Sequence, residues 1–134
     1  MTRAPVTISV KAIIQNDAGE VLLLKRAHDD VHRPGEWEIP GGRLDVTESE
    51  HDGLLRQVHE ETDLRITVGK RLLERAYERD DGQPVRMVTF ACHLVGPANI
   101  TLTPEHCGHQ WVSAQEARRI TQSFDAEWDA YGRQ

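Results

Sequence analysis

Cysteine, aromatic residues and long apolar runs are all scarce in this sequence. Its 134 residues include two cysteines, Cys92 and Cys107, and aromatic residues make up 5% of the chain. Two cysteines cannot supply the disulfide framework of a small secreted protein, which favours a reducing compartment. The longest apolar run, VLLL, is too short to cross a membrane, and the N-terminal MTRAPVTISV lacks the apolar segment of a signal peptide. We therefore predict a cytoplasmic protein without a membrane partner.

Positive charge is also in short supply. The chain carries 16 Lys and Arg residues against 22 Asp and Glu residues, a formal net charge of -6. Such a protein has little non-specific affinity for nucleic acid or for anionic membranes. It can still bind phosphate groups when a cation lies between them and its own carboxylates. The charge balance argues against a nucleic acid polymer as partner and leaves small phosphorylated ligands open.

Internal repeats, low-complexity tracts and linker-like stretches are absent as well. Hydrophobic residues make up 38% of the chain and charged residues 28%, as in an ordinary globular protein. A chain of this length can bury one hydrophobic core. The sequence thus predicts a single domain over residues 1–134.

Apolar periodicity predicts a mixture of strands and helices. In the first strand, Val6, Ile8, Val10 and Ala12 alternate with polar residues, which is the period of a half-buried strand. The predicted strands lie at 6–14, 21–26, 37–39, 66–79, 85–95 and 109–113, and the predicted helical segments at 47–62, 113–120 and 125–132. The short strand at 37–39 lies inside a loop rich in Pro and Gly. The segment DDGQP predicts a hairpin between the strands at 66–79 and 85–95. Because strands and helices do not alternate strictly, we predict an α/β sandwich with a mixed sheet.

The segment TESEHDGLLRQVHEET is typical of an amphipathic helix. Thr47 and Glu50 match the spacing of a capping box, which predicts Thr47 as the N-cap residue. On a helical wheel, Leu54, Leu55 and Val58 share the arc that we expect to pack against the sheet. The residues on the adjoining arc are Gln57, Glu60 and Glu61.

These three side chains are related by spacings of three, four and one, so they can converge on one point. Two converging carboxylates repel each other unless a proton or a cation lies between them. Oxygen ligands of this kind suit Mg²⁺, Mn²⁺ or Ca²⁺. The alternative is a solvated acidic surface on which Arg56 pairs with Glu60.

The sequence before and within this helix resembles the signature of the Nudix hydrolase (MutT-like) family. That signature is Gly, five residues, Glu, seven residues, Arg-Glu, an apolar residue, any residue, Glu-Glu, any residue, Gly and an apolar residue. Seven of its nine positions are matched over 23 residues, by Gly42, Glu48, Arg56, Val58, Glu60, Glu61 and Leu64. The preceding GEWEIPGG resembles the Trp-x-x-Pro-Gly-Gly lead-in of many members, and EHCGHQWVS resembles their Glu-His loop and Trp-bearing strand.

The resemblance implies a Nudix-type α/β/α sandwich that hydrolyses a diphosphate linkage in a nucleoside diphosphate joined to another group, with Mg²⁺ or Mn²⁺ as cofactor. By the same resemblance, Glu60 and Glu61 are the principal metal ligands, and Arg56 orients a neighbouring carboxylate. Glu48 is either a further metal ligand or a structural anchor. The residues expected to contact the substrate are Gly41, Gly42 and Trp37.

Two positions depart from the signature. Asp63 replaces the final Gly, at a helix end where Asp tolerates the left-handed conformation better than most residues. Gln57 replaces the glutamate that follows the arginine, which is a metal ligand or general base in many members. A glutamine can offer its carbonyl oxygen to a metal ion, but it cannot accept a proton at neutral pH.

Two interpretations of Gln57 stay open. In the first, another acid is the base, and Glu105 in TPEHCGHQW is the best candidate, ahead of Glu38 and Glu78. The predicted catalytic group is then Glu105, Arg56 and Gln57. In the second, the site is impaired, and the protein binds a nucleotide as a sensor or regulator without hydrolysing it.

The substrate is open as well, because NTPs, dNTPs, dinucleoside polyphosphates, ADP-ribose and sugar nucleotides carry the same linkage. The short chain favours a small nucleotide such as an NTP or dNTP. An exposed strand edge would allow a homodimer. A zinc site is a weaker alternative, because the available residues lack the paired ligand spacing. They are Cys92, His93, His106, Cys107 and His109.

Overall fold

A computed structural model of the chain describes residues 5–134. The strands are β1 (Thr7–Gln15), β2 (Val21–Arg26), β3 (Trp37–Glu38), β4 (Gly41–Arg43), β5 (Arg65–Glu78), β6 (Pro84–Val95) and β7 (His106–Val112), and the α-helices are α1 (Glu50–Thr62), α2 (Ala114–Ile120) and α3 (Asp125–Gly132). Residues 1–4 of the predicted domain lie outside the described part of the chain.

The described strands form one mixed sheet. Its main order is β3-β2-β1-β6-β5, and β4 pairs with β1 while β7 pairs with β2. β1 runs parallel to β6, and β5 and β6 form an antiparallel hairpin. The turn of this hairpin falls in the predicted DDGQP segment, where Gly82 has a φ of +86°. β5 therefore lies at one edge of the sheet.

Both faces of the sheet are covered, which explains the continuous apolar run of β2. Leu22 and Leu24 pack with residues of α1 on one face, whereas Val21 and Leu23 pack with residues of α2 and α3 on the other. Successive side chains of a strand point to opposite faces, so a strand between two helical layers needs apolar residues at every position. The predicted α/β/α sandwich with a mixed sheet is confirmed.

The start of α1 differs from the prediction. Ser49, not Thr47, is the N-cap residue, and its hydroxyl accepts a hydrogen bond from the Asp52 backbone N–H at 3.1 Å. The predicted capping box of Thr47 and Glu50 is therefore wrong. In the segment before the helix, the Glu48 carboxylate instead accepts a hydrogen bond from the Asp45 backbone N–H. The helix end agrees with the prediction, since Asp63 has a φ of 64° in the left-handed region.

The buried face of α1 is also displaced from the predicted arc. Leu54 and Val58 are fully buried, but Leu55 is 41% exposed. Gly53, Glu61 and Thr62 are buried instead. A Cβ on Gly53 would lie 2.2 Å from the Leu44 side chain, so the helix packs closely on the segment that precedes it. Glu61 is thus part of the buried side of α1, whereas Leu55 faces solvent.

Replacing the N-cap residue should test this boundary. Ser49→Ala removes the acceptor for the Asp52 N–H, and we expect the free energy of unfolding to fall by about 1 kcal/mol. Thr47→Ala is the matched control and should change it much less, since the Thr47 hydroxyl contacts only the exposed Asp45 side chain. Urea denaturation of both variants measures the difference. Equal losses of stability in the two variants would show that Ser49 is not the N-cap residue.

One strand and one strand boundary differ from the prediction. β4 lies in the segment predicted as a loop, and β7 begins three residues before the predicted strand at 109–113. Between residues 5 and 134, none of the helices is both long and apolar enough to span a bilayer.

Candidate active site

A cleft of about 730 Å³ opens on the face of the sheet that carries α2 and α3. Ser9 and Lys11 of β1 line it, and they share their face of the strand with Ile13, which belongs to the core under α2 and α3. The polar residues of the β1 alternation thus face a ligand-sized cavity rather than open solvent. Pockets of this volume are typical of small-molecule sites.

Gly41 brings the main chain close to this cleft and could not be replaced by a residue with a side chain. Its φ is +134°, and an added Cβ would lie 2.1 Å from the Val10 carbonyl oxygen. Its backbone N–H donates to Glu61 Oε1 at 2.8 Å. The glycine pair therefore lets β4 pack against β1 and fixes the Glu61 carboxylate, while Gly41 and Gly42 both line the cleft.

Glu61 is the signature acid that faces the cleft. It is buried, with 6% of its surface exposed, and it lines the cavity. Burial raises the pKa of Glu61 to about 7, against the opposing effects of Lys11 and the Gly41 N–H. A cation beside such a buried carboxylate would strongly stabilise its ionised form.

Glu48, Arg56 and Glu60 form a separate ion-pair group. Arg56 donates from Nη2 to Glu48 Oε1 at 2.5 Å, from Nε to Glu48 Oε2 at 3.0 Å and from Nη1 to Glu60 Oε2 at 3.1 Å. The hydrogen bonds from Arg56 hold the pKa of Glu48 down at about 2. The predicted pairing of Arg56 with Glu60 is present, and the contacts of Glu48 favour the structural anchor over the metal ligand. None of the three lines the cleft, so their predicted roles in catalysis and metal binding stay predictions.

Gln57 and Trp37 also lie outside the cleft. Gln57 donates from Nε2 to the Arg43 carbonyl at 2.8 Å, and its Oε1 would be 2.6 Å from a Cβ on Gly42. The second glycine therefore leaves room for the Gln57 side chain. Trp37 packs against the core under α2 and α3, with Lys25 Nζ 6.0 Å from the centre of its ring. Its predicted contact with substrate has no support in this geometry.

A bulge in β7 brings Glu105 and His106 to the cleft. Gly108 pairs with Lys25 and His106 with Arg26, so Cys107 is the extra residue between two successive pairs. Such bulges redirect side chains next to functional sites. The Glu105 carbonyl accepts from the Ala27 N–H at 2.9 Å, which anchors the segment. This irregularity explains why apolar alternation did not extend the strand back to His106.

Glu61, Glu105 and His106 each bring a ligand atom within 4.8 Å of the others. No other group of three His, Cys, Asp or Glu residues in the described part of the chain is so arranged. Of the residues in the weaker zinc alternative, His106 alone belongs to it, since Cys92 is buried in the core and Cys107 is exposed. The structure thus joins predicted residues Glu61 and Glu105 and adds His106.

A buried ion-pair network lies behind this group, and sequence reasoning did not find it. Glu38 Oε1 accepts from Lys11 Nζ at 3.2 Å and from Arg26 Nη1 at 3.0 Å, and Glu38 Oε2 is 2.8 Å from His106 Nε2. Burial opposes ionisation, but Lys11, His106 and Arg26 hold the pKa of Glu38 well below its usual range. The sequence indicates Glu38 only as a weaker candidate base than Glu105. With its carboxylate fully engaged, it is a scaffold for the cleft.

Comparison with known proteins identifies the family. The family model for the NUDIX domain matches residues 5–131. The chain belongs to the Nudix hydrolase family.

Several Nudix relatives are similar over most of this chain. It is 30% identical over 110 residues to a MutT-like protein from Streptomyces ambofaciens, covering 82% of this chain and 66% of that protein. It is 32% identical over 109 residues to the CTP pyrophosphohydrolase of Escherichia coli (strain K12), covering 81% and 76%. The crystal structure of the MutT protein from Methanosarcina mazei Go1 superposes over 100% of both chains, with a TM-score of 0.82 and 28% identity. The chain therefore spans just under two thirds of the MutT-like protein's length.

The raised pKa of Glu61 predicts a pH-dependent stability of this Nudix domain. In the folded protein Glu61 holds its proton up to about pH 7, whereas an unfolded glutamate loses it near pH 4.3. Its contribution to stability is therefore present at low pH and lost as pH rises through this window, by up to about 1.4 kcal/mol per pH unit. Urea denaturation without divalent ions should show a steeper decline from pH 5 to pH 8 for the unmodified protein than for Glu61→Gln. Parallel declines would mean that Glu61 titrates normally.

Proposed function

We propose that this protein hydrolyses the diphosphate linkage of a small nucleotide, an NTP or dNTP, in a reaction that depends on Mg²⁺ or Mn²⁺ and releases a nucleoside monophosphate. The observation that carries the proposal is the position of Glu61. It is the one signature acid that lines the cleft, it is fixed by the Gly41 N–H, and it lies beside Glu105 and His106.

The donor set fits a divalent metal ion. Glu61 and Glu105 offer carboxylate oxygens. Burial raises the pKa of Glu61, and a bound cation would stabilise its ionised form. Mg²⁺ and Mn²⁺ both bind such oxygens. When bound, the ion would neutralise the diphosphate oxygens and lower the pKa of the attacking water. Glu60 and Glu48 remain proposed ligands whose side chains would have to leave Arg56 to take part.

Positive side chains of the cleft suit the remaining phosphate charge. Lys11, Arg26 and Arg33 line it, and Arg33 has no ion-pair partner among residues 5–134. With a phosphate chain held there, the nucleoside would lie near Tyr77 and Phe124, which line the same cavity. The name of the Escherichia coli relative, a CTP pyrophosphohydrolase, supports an NTP as the substrate.

Glu105 is the proposed general base in place of the missing glutamate at position 57. Its side chain is exposed in the cleft, close to Glu61, and its main chain is anchored to β2's end through Ala27. Gln57 acts at a distance, since it fixes the Arg43 carbonyl and packs on Gly42. It therefore shapes the loop that carries Gly41 rather than exchanging protons.

A sensor is the second candidate, and the amide at position 57 favours it. Gln57 brings no carboxylate to the site, so one negative charge of the usual set is missing and metal affinity is lower. Such a protein would bind a nucleotide without hydrolysing it. In both cases the partner is a nucleotide and not a nucleic acid polymer. The single domain over residues 1–134, the cytoplasmic location and the homodimer stay predictions.

Product analysis separates the two candidates. The purified protein is incubated with Mg²⁺ or Mn²⁺ and a panel of NTPs, dNTPs, dinucleoside polyphosphates, ADP-ribose, NADH, sugar nucleotides and a short 5′-triphosphorylated RNA, and products are separated by chromatography. We expect nucleoside monophosphate from an NTP or dNTP and none from the RNA. Nucleotide binding without turnover of any compound would reject the hydrolase in favour of the sensor.

Restoring the family glutamate provides a second test. Gln57→Glu returns a carboxylate one helical turn before Glu61. It should leave the rate unchanged or increase it, with tighter Mg²⁺ binding, because the helix regains one negative charge of the family signature. Initial rates across a range of Mg²⁺ concentrations measure both effects. A loss of activity in a variant that stays folded would mean that the metal assignment is wrong.

A further inference from the structure

His106 is buried at the cleft with one ring nitrogen unpartnered. Its side chain is 3% exposed, and Nε2 is 2.8 Å from Glu38 Oε2. Nδ1 is buried and finds no hydrogen-bond partner among the described residues. A buried polar atom without a partner costs about 1–3 kcal/mol, so a ligand that occupies Nδ1 would be stabilised there.

The Glu38 contact determines which nitrogen carries the proton. Glu38 is ionised, because Lys11 and Arg26 donate to its other oxygen. A carboxylate only accepts hydrogen bonds, so His106 Nε2 must be the donor. In the neutral imidazole, Nδ1 then has a free electron pair. An electron pair can accept a proton or bind a metal ion, but it cannot bind a phosphate oxygen directly.

This arrangement is the usual environment of a histidine that binds metal. Such histidines donate their second ring N–H to a carboxylate, which fixes the tautomer and increases the basicity of the ligating nitrogen. The carboxylates of Glu61 and Glu105 lie within 4.8 Å of the His106 ligand atom. A purely structural histidine would explain the bond to Glu38. It would not explain a buried, unpartnered Nδ1 on a ring that brings a nitrogen within 4.8 Å of two carboxylates.

We propose that His106 binds, through Nδ1, the divalent ion held by Glu61 and Glu105, and that this site consequently prefers first-row transition ions over Mg²⁺. Imidazole is a poor ligand for Mg²⁺, and a site with a nitrogen ligand binds Co²⁺ more tightly than Mn²⁺ and Mn²⁺ more tightly than Mg²⁺. The inference rests on the proposed function only in requiring a metal ion at Glu61. It adds a nitrogen ligand to a site otherwise made of oxygen atoms.

Electron spin-echo spectroscopy of the Mn²⁺-loaded protein tests the ligand without any assay of activity. A directly bound imidazole nitrogen modulates the Mn²⁺ signal, and we expect this modulation in the unmodified protein. His106→Gln should abolish it, because glutamine can still donate to Glu38 but has no electron pair at Nδ1. His109→Gln is the matched control, since His109 is exposed on the same strand and lies outside the cleft; it should leave the modulation intact.

Calorimetric titrations give the second readout. We expect His106→Gln to weaken Co²⁺ binding at least 10-fold and Mg²⁺ binding less than about threefold. Mn²⁺ bound in a Glu61-dependent way but without nitrogen modulation would overturn the inference and leave the proposed function standing. No divalent binding by the unmodified protein would overturn both. Because the absence of nitrogen modulation in the unmodified protein overturns the inference by itself, a variant that fails to fold does not prevent the test.

Discussion

Glu61→Gln should lower the rate of nucleotide hydrolysis at least about 100-fold while leaving the protein folded. The glutamine has the same shape and can still accept the hydrogen bond from the Gly41 N–H. It brings no negative charge, so it cannot balance a divalent ion in the cleft, and both water activation and neutralisation of the phosphates are lost. The initial rate with Mg²⁺ on the substrate named by product analysis measures the effect.

The matched control for this variant is Glu50→Gln, in the first turn of the same helix. Glu50 pairs with Arg71 on the surface and lies away from the cleft. It should retain the full rate, and both variants should unfold in one cooperative transition. Full activity in Glu61→Gln would show that the metal ion is held elsewhere.

Glu38→Ala should lower the free energy of unfolding by about 3–5 kcal/mol. The substitution leaves Lys11 and Arg26 without the carboxylate that they share, and Lys11 is 7% exposed. Removing one member of a buried ion pair is costly, because the remaining charge cannot be solvated. The pKa of Glu38 is depressed. Its contribution to the free energy of unfolding is therefore fully present above the ordinary glutamate pKa, and it is lost as pH falls from there through the depressed pKa.

Glu74→Ala is the control for the loss of a glutamate with two arginine partners. Glu74 accepts from Arg71 and Arg86 at the surface of the β5–β6 hairpin. Exposed ion pairs are screened by solvent, so little change in stability is expected. Urea denaturation at pH 7 compares the variants. If both lose the same small amount, the Glu38 network is not a stabilising element of the cleft.

Most of the architecture could be predicted from the sequence because apolar periodicity reports directly on burial. The alternation in β1, the apolar run of β2 and the hairpin segment DDGQP each predicted an element that the structure contains. The N-cap was less predictable, since both Thr47 and Ser49 are good capping residues. The carboxylate of Glu48 decides between them by bonding to the Asp45 N–H and to Arg56.

The candidate site could be predicted only in part, because spacing along a helix does not show which side chains the fold buries. Spacing along one helix placed Glu60 and Glu61 side by side, but burial separates them, with Glu61 in the cleft and Glu60 at the surface with Arg56. His106 reaches the site through a bulge, which has no clear sequence pattern. Glu38 and Lys11 are 27 positions apart and meet only through the pairing of β1, β2 and β3.

The most direct test of a metal-dependent nucleotide hydrolase is a metal exchange on a single compound. The protein is treated with EDTA, incubated with CTP, and then supplied with excess Mg²⁺ or Mn²⁺, and nucleoside monophosphate is measured at each stage. We predict no release in EDTA and release of CMP with pyrophosphate after either ion is added. Equal turnover in EDTA, or release of inorganic phosphate alone, would contradict cleavage at a metal-bound diphosphate linkage.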